Sequence, residues 1–220
     1  KILSKTLNYN IQCPSKEIEF IVSNNNSPDN TESIVKKIHD PRIKYFRNNC
    51  NLGHDSNILK CVKRATGAFL FFLSDEDYIE FESIPWIIDV IKKDKSISLM
   101  LGSVGDRRPG KNELYVKQKD ELFKAGHESL TKIGFSITYL SGLTLKRESL
   151  DLIQAKKYIG FGYIQQVLMF QATSAGKTLC TSKVFIYLPE KTEETHIVST
   201  KYYAAGKKYY HPLSRISQSL

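Results

Sequence analysis

Apolar and polar positions change their period several times along the chain. Ile18, Phe20, Ile21 and Val22 form a short strand-like run, followed by a polar turn. Beyond that turn Ile34, Val35 and Ile38 recur at helical spacing, with several capping side chains ahead of them. A second short strand is expected at Ile43 to Phe46. Asn57 to Arg64 reads as a helix through Ile58, Leu59 and Val62, stopped by Gly67. Every position from Ala68 to Leu73 is apolar, as in a strand buried on both faces. The βαβα alternation predicts an α/β domain with a mixed, mainly parallel sheet.

Further along, the pattern predicts a helix over Ser83 to Lys92, a strand over Ile97 to Leu101 and a loop over Gly102 to Asn112. Helical pieces are expected at Lys119 to Ala125 and Glu128 to Ile133, and a strand at Ile137 to Leu145 interrupted by Gly142. A helix over Ile164 to Ala175 and a strand over Leu179 to Leu188 complete the domain. From Glu190 onward aliphatic residues are few, which divides the chain into a domain at 1–189 and a basic, Tyr-rich tail at 190–220. Tyr202, Tyr203, Tyr209 and Tyr210 beside Lys207 and Lys208 suit lipid headgroups as a peripheral membrane contact. Packing across the domain surface is the plainer role for such a tail.

With 220 residues and 41% hydrophobic content, the chain has enough for one substantial core. No apolar run approaches the roughly 18 residues that cross a bilayer, and Lys1 to Gln12 lacks the marks of a secretory signal. The expected location is therefore the cytoplasm, extending to the inner face of the cell membrane. Cys13, Cys50, Cys61 and Cys180 show no CxxC pair, so reduced thiols are expected. The net charge of +9 suits nucleic acid, an anionic membrane face, phosphate-bearing substrates or simply a solvated basic surface. No nucleic-acid-binding motif accompanies the scattered basic residues, which argues against the first.

The sharpest chemical feature is Ser74-Asp75-Glu76-Asp77, three consecutive carboxylates directly after the apolar run. Ligands of open α/β sheets gather at the carboxyl ends of strands. Adjacent acids repel one another unless a cation neutralises them, and hard oxygen ligands suit Mg2+ or Mn2+ bridging to substrate phosphates. The other reading is an acidic turn at the start of the next helix. Composition alone leaves the two level.

The ordered set from Glu17 to Ile79 resembles the family 2 glycosyltransferases. Glu19-Phe20-Ile21-Val22-Ser23-Asn24-Asn25-Asn26-Ser27-Pro28-Asp29-Asn30-Thr31 is similar to their strand-and-turn motif. Asp40-Pro41-Arg42-Ile43-Lys44-Tyr45, Asn51-Leu52-Gly53, Asn57 and Ala65-Thr66-Gly67-Ala68 follow in the family's order, and the acidic turn stands at its DxD motif. The form Ser-Asp-Glu-Asp is similar to turns of the abequosyltransferase-like group, which act on capsule and O-antigen sugars.

The resemblance implies a GT-A fold and transfer from a nucleoside diphosphate sugar, a UDP-sugar first, to a saccharide or polyprenyl-linked acceptor, with inversion. It implies that Asn24, Asn25, Asn57 and Asp75 bind the nucleotide-sugar, that Asp75, Glu76 and Asp77 form the catalytic turn, and that Glu76 and Asp77 hold Mg2+ or Mn2+. The family's late Glu-Asp pair is absent: Phe161-Gly162-Tyr163-Ile164-Gln165-Gln166 stands there, and neither Gln is a base. Asp106 and Glu128 are the substitutes considered. Tyr139-Leu140-Ser141-Gly142 resembles a segment near the acceptor, where Gly142 allows either a close backbone approach or a bulge. A member that binds sugar nucleotide without turnover is the alternative. The resemblance also leads us to expect a strand upstream of Lys1, lying between those at Ile18 to Ser23 and Phe69 to Leu73. Direct pairing of those two strands would overturn that expectation.

Overall fold

The computed structural model describes residues 2–106, 114–116, 118–133 and 139–189. Helix α1 (Ile2–Asn10) precedes a βαβα run of β1 (Phe20–Asn24), α2 (Thr31–Lys36), β2 (Ile43–Arg47) and α3 (His54–Arg64). Next come β3 (Phe69–Phe71), β4 (Tyr78–Ile79), α4 (Ser83–Lys93), β5 (Ile97–Asp106), β6 (Leu114–Val116), β7 (Glu121–Phe123) and α5 (His127–Ile133). The last elements are β8 (Thr144–Lys146), α6 (Leu152–Ala155), α7 (Ile164–Ala175) and β9 (Lys177–Leu188). The tail at 190–220, with its tyrosines, lies outside the described residues, as does 107–113 of the loop after β5.

The strands form an α/β layer with a mixed sheet. β1 and β2 pair in parallel, and a second ladder runs β3-β8-β5-β9-β4, with β6 on β5 and β7 on β9. β5 and β9 are parallel, while β3 and β5 each run antiparallel to β8 and so share one direction. Glu19, just before β1, accepts hydrogen bonds from the Thr66 and Gly67 amides just before β3, so β1 and β3 start at the same end. β1, β2, β3, β5 and β9 therefore run one way, and β4, β6, β7 and β8, of two or three residues each, run against them.

Among the described residues β1 pairs only with β2 and β3 only with β8. The Phe20 amide donates to Arg42 and the Asn24 carbonyl accepts from Asn48, so alternation turns the backbone groups of Ile21 and Ser23 away from β2. By the same alternation Phe69 and Phe71 face away from β8, because Ala68 and Phe72 carry the bonds to it. The seam between β1 and β3 is spanned by side chains instead. Phe20, Phe71 and Leu73 pack together with buried Cys13, Ile79 and Ile84.

Helices α3 and α7 cover one face through Ile58, Leu59, Val62, Leu168 and Met169, packed on Leu70, Leu99 and Leu145. Helix α4 covers the other through Ile87, against Met100, Phe185 and Ile186. Removing side chains of this size from water supplies roughly 1.5 to 3 kcal/mol each.

Four sequence expectations change. Of the strand expected at Ile137 to Leu145, residues 139–143 form the turn into β8, with Gly142 at φ +83, and the strand starts at Thr144. The strand at Ile97 continues to Asp106 because Gly102 and Gly105 are strand positions overlain by rings. A Cβ on Gly102 would stand 2.2 Å from Phe185 Cγ, and one on Gly105 2.5 Å from the Tyr187 ring. Glu121 to Phe123 is a strand rather than a helix because β9 offers it an edge. In β3 only Leu70 is buried, while Phe69 and Phe71 are half-buried at the seam.

Candidate active site

The acidic turn lies at the carboxyl end of β3, and helix α1 pins its backbone. Thr6 Oγ1 donates to the Asp75 carbonyl, Asn10 Nδ2 donates to the Asp77 carbonyl at 3.0 Å, and Asn10 Oδ1 accepts from the Ile79 amide at 2.9 Å. Thr6 and Asn10 are themselves buried, so the polar stripe of α1 exists to satisfy this turn. From the opposite side the Ser74 amide donates to Ser141 Oγ at 2.8 Å.

The three carboxylates then divide. Asp75 and Glu76 are exposed, whereas Asp77 is 1% exposed. Asp77 Oδ2 accepts from Ser141 Oγ at 2.6 Å and from Tyr139 Oη at 2.9 Å, while its Oδ1 is buried with no hydrogen-bond partner. Burial pushes the Asp77 carboxyl above its ordinary range against the pull of the Ser141 and Tyr139 hydroxyls, with repulsion from Asp75 adding to the rise. Glu76 is raised too, by partial loss of water and then by its neighbours Asp77 and Asp75. A cation would relieve both conditions.

The Tyr139 to Gly142 segment thus meets the acidic turn. Gly142 adopts φ +83, the left-handed conformation of the turn into β8, and its amide donates to the Phe72 carbonyl. Among the described residues no three His, Cys, Asp or Glu side chains converge into a cage. One or two carboxylates can still suffice for Mg2+ or Mn2+ when substrate phosphates complete the shell. The donor set, with Oδ1 of Asp77 buried and unpartnered, fits such an ion.

The asparagines at the ends of β1 and β2 are joined into a network. Asn25 Oδ1 accepts from the Leu52 amide and from Asn48 Nδ2, both at 3.0 Å, and Asn57 Oδ1 accepts from Asn48 Nδ2 at 2.9 Å. Asn24 faces elsewhere, accepting from the Ser27 amide at 2.8 Å and donating to Tyr45 Oη at 2.9 Å. Asn26 carries the turn at φ +60. Arg64, over the Phe46 ring, donates to Ser23 Oγ at 2.8 Å and Asn48 Oδ1 at 3.2 Å. The structure brings Asn25 and Asn57 together through Asn48, which the sequence reading did not single out, and each Asn spends amide groups on the loop itself.

A second residue absent from the sequence reading is Asp55, 4% exposed in the first turn of α3. Its Oδ2 accepts from the Gly160 and Gly162 amides at 2.8 and 3.0 Å, and its Oδ1 from the Ile164 amide at 3.4 Å. Gly160 and Gly162 have φ +98 and +79, which turns their amides onto one carboxylate. The stretch where the family pattern has its Glu-Asp pair is thereby clamped to α3.

Of the two substitute bases considered, Glu128 does not join the acidic turn. Glu128 opens α5, whose preceding Gly126 donates to Thr173 near the end of α7, just before β9 begins. That is the opposite edge of the sheet. Asp106 closes β5. Gln165 is buried in the first turn of α7. A cavity of about 730 Å³ also lies at the opposite edge, lined by Lys95, Lys124, Lys146 and Lys177. Two of its lysines are already paired, Lys146 with Glu148 at 2.5 Å and Lys177 with Asp94 at 3.0 Å.

A βαβα run with an acidic turn and an asparagine loop both at the carboxyl edge of its strands is the arrangement of the GT-A class of nucleotide-sugar transferase folds. The chain belongs to Glycosyl transferase family 2, whose family model matches residues 1–151. It is similar to S. aureus TarS (residues 1–349) in complex with UDP-GlcNAc, with a TM-score of 0.67 and 18% identity over 86% of this chain and 55% of that one. GalNAc-T7 with UDP, GalNAc and Mn2+ aligns with a TM-score of 0.60 and 14% identity, over 87% of this chain and 41% of that one. The GalNAc(5)-diNAcBac-PP-undecaprenol beta-1,3-glucosyltransferase of Campylobacter jejuni is 43% identical over 65 residues, 28% of this chain and 21% of that protein. The chain spans about half of TarS and matches about a fifth of the Campylobacter protein.

Proposed function

We propose that this domain transfers a sugar from a nucleoside diphosphate donor, a UDP-sugar first, to a saccharide or polyprenyl-linked acceptor in surface polysaccharide biosynthesis. The observation that carries the reading is the acidic turn, fixed from two sides at the carboxyl edge of the sheet with one buried carboxylate oxygen left without a partner. Support for the donor comes from TarS bearing UDP-GlcNAc, and for a lipid-linked acceptor from the Campylobacter protein's undecaprenol substrate. The form Ser-Asp-Glu-Asp favours the capsule and O-antigen group within the family.

Glu76 and Asp77 would hold Mg2+ or Mn2+, which supplies Lewis-acid stabilisation of the departing nucleoside diphosphate. The chain's own contribution is positional. Thr6, Asn10 and Ser141 fix the turn before substrate arrives, so little reorganisation remains when charge develops. Asn25 and Asn57 shape the loop against which the nucleoside lies, and Asp75 stands at the ribose. Attack by the acceptor hydroxyl opposite the departing diphosphate inverts the anomeric carbon.

A second reading, binding of sugar nucleotide without turnover, is favoured by Gln165 and Gln166, which cannot take the acceptor proton. A product assay separates the two. Donor hydrolysis or transfer by the wild type, lost in Glu76→Ala, supports the enzyme. Retained nucleotide binding with no product from any donor supports the binder.

A further inference from the structure

Five large hydrophobic residues are strongly exposed among the described residues, and four of them fall within nine consecutive positions. These are Ile153 at 79%, Tyr158 at 38%, Ile159 at 44% and Phe161 at 57%. The Tyr158 and Phe161 rings lie 5.9 Å apart, forming one apolar knob rather than scattered contacts. Lys156 and Lys157 flank it, both exposed, with no ion pair found for either among the described residues.

The knob is held in place. Asp55 fixes the Gly160 and Gly162 amides, and the Ile159 and Phe161 amides donate to Lys156 and Tyr158. A loop fixed in this way keeps its apolar side chains in water at a continuing cost, which marks an interaction surface.

Its position follows from topology. Helix α7 ends at Ala175, just before β9 starts, so its first residue, Ile164, lies at the edge where β5 and β9 end. Because β3 shares that direction, the acidic turn after β3 lies at this same edge. The bonds from Asp55, in the first turn of α3 after β2, agree.

We propose that the segment Ile153 to Phe161 is a membrane-contacting rim, with its apolar knob seated among acyl chains and Lys156 and Lys157 on anionic headgroups. This rests on the lipid-linked acceptor reading and deepens it, since the contact would turn the acidic edge toward the bilayer surface. The Tyr158 ring with its polar tip, the wholly apolar Phe161 ring and the neighbouring lysines suit that interface. Pairing between two copies through this patch would set Lys156 and Lys157 against their own kind, so charge favours lipid over a second chain.

The test is flotation of the full chain with phosphatidylcholine vesicles, with and without phosphatidylglycerol. The wild type should float with the anionic vesicles. Ile159→Ser/Phe161→Ser should lower binding by about tenfold or more from lost apolar burial, and Lys156→Glu/Lys157→Glu by about tenfold or more from lost charge. All four positions are exposed, and unchanged melting temperatures confirm folded variants. A wild type that stays unbound, or variants that float undiminished, would overturn the inference, as would a wild-type dimer that either variant dissociates. A UDP and Mn2+ thermal shift on the same samples keeps the two readings apart. Vesicle binding without that shift sinks the transferase reading and leaves the rim standing, while the shift without vesicle binding does the reverse.

Discussion

Asp55 and Gly160 lie 105 positions apart in sequence and are joined by a 2.8 Å hydrogen bond that ties the start of α3 to the loop before α7. Asp55→Ala would leave three amides at the base of that loop without an acceptor. We expect a loss of about 3 to 5 kcal/mol and Asp55→Asn to lose about half as much, read as the urea midpoint. An unchanged midpoint in Asp55→Ala would show that the clamp carries no load.

Removal of metal should abolish most of the nucleotide's effect. UDP at about 100 times its dissociation constant adds about 2.7 kcal/mol, which in a domain of this size raises the melting temperature by roughly 5 to 10 °C. EDTA and Glu76→Ala should each erase that rise, whereas Lys95→Ala/Lys124→Ala, at the far cavity, should keep it. A shift that survives EDTA would rule out the cation at Glu76 and Asp77.

Ser141→Ala should separate position from charge. It removes the hydroxyl that donates to Asp77 and accepts from Ser74 while leaving every carboxylate in place. Stability should fall by about 1 to 2 kcal/mol, and the UDP shift with Mn2+ should shrink without vanishing. A shift equal to that of the wild type would mean that the turn needs no brace from this side.

Glu19 sets an acid-sensitive contact. Burial opposes its ionisation, but Lys44 and the Thr66 and Gly67 donors outweigh it and hold the carboxyl at about 2, below the ordinary 4.5. A depressed folded value contributes stability that is complete above about pH 4.5 and is lost as pH falls toward 2. The difference in urea midpoint between wild type and Glu19→Gln should therefore be constant from pH 5 to 7 and shrink at pH 3. A gap that widens on acidification would contradict the assignment.

Gly102→Ala should destabilise the sheet by about 1 to 3 kcal/mol, because the added methyl meets the Phe185 ring. Phe185→Leu in the same chain should recover some of that loss. Additive losses in denaturant titrations would show that the ring is not the obstacle.

The order β1, α2, β2, α3, β3 and α4 was readable from local patterning, and α7 spans Ile164–Ala175 as its pattern predicts. The acidic turn was readable for the same reason, being four adjacent residues after an apolar run. What escaped were features decided at long range. The strand at Glu121–Phe123 exists through its pairing with β9, and Gly102 reads as a loop residue until the Phe185 ring is placed over it. Asp55 and Asn48 act through partners elsewhere in the sequence, so no spacing rule could have singled them out, and the segment of Ser141 was marked by resemblance without its bond to Asp77. The division of labour among the three carboxylates was also hidden, because burial separates Asp77 from Asp75 and Glu76.

Helix α1 holds the Asp75 and Asp77 carbonyls through Thr6 and Asn10, so any displacement of that helix would reach the carboxylates as a rigid shift rather than being absorbed by the turn.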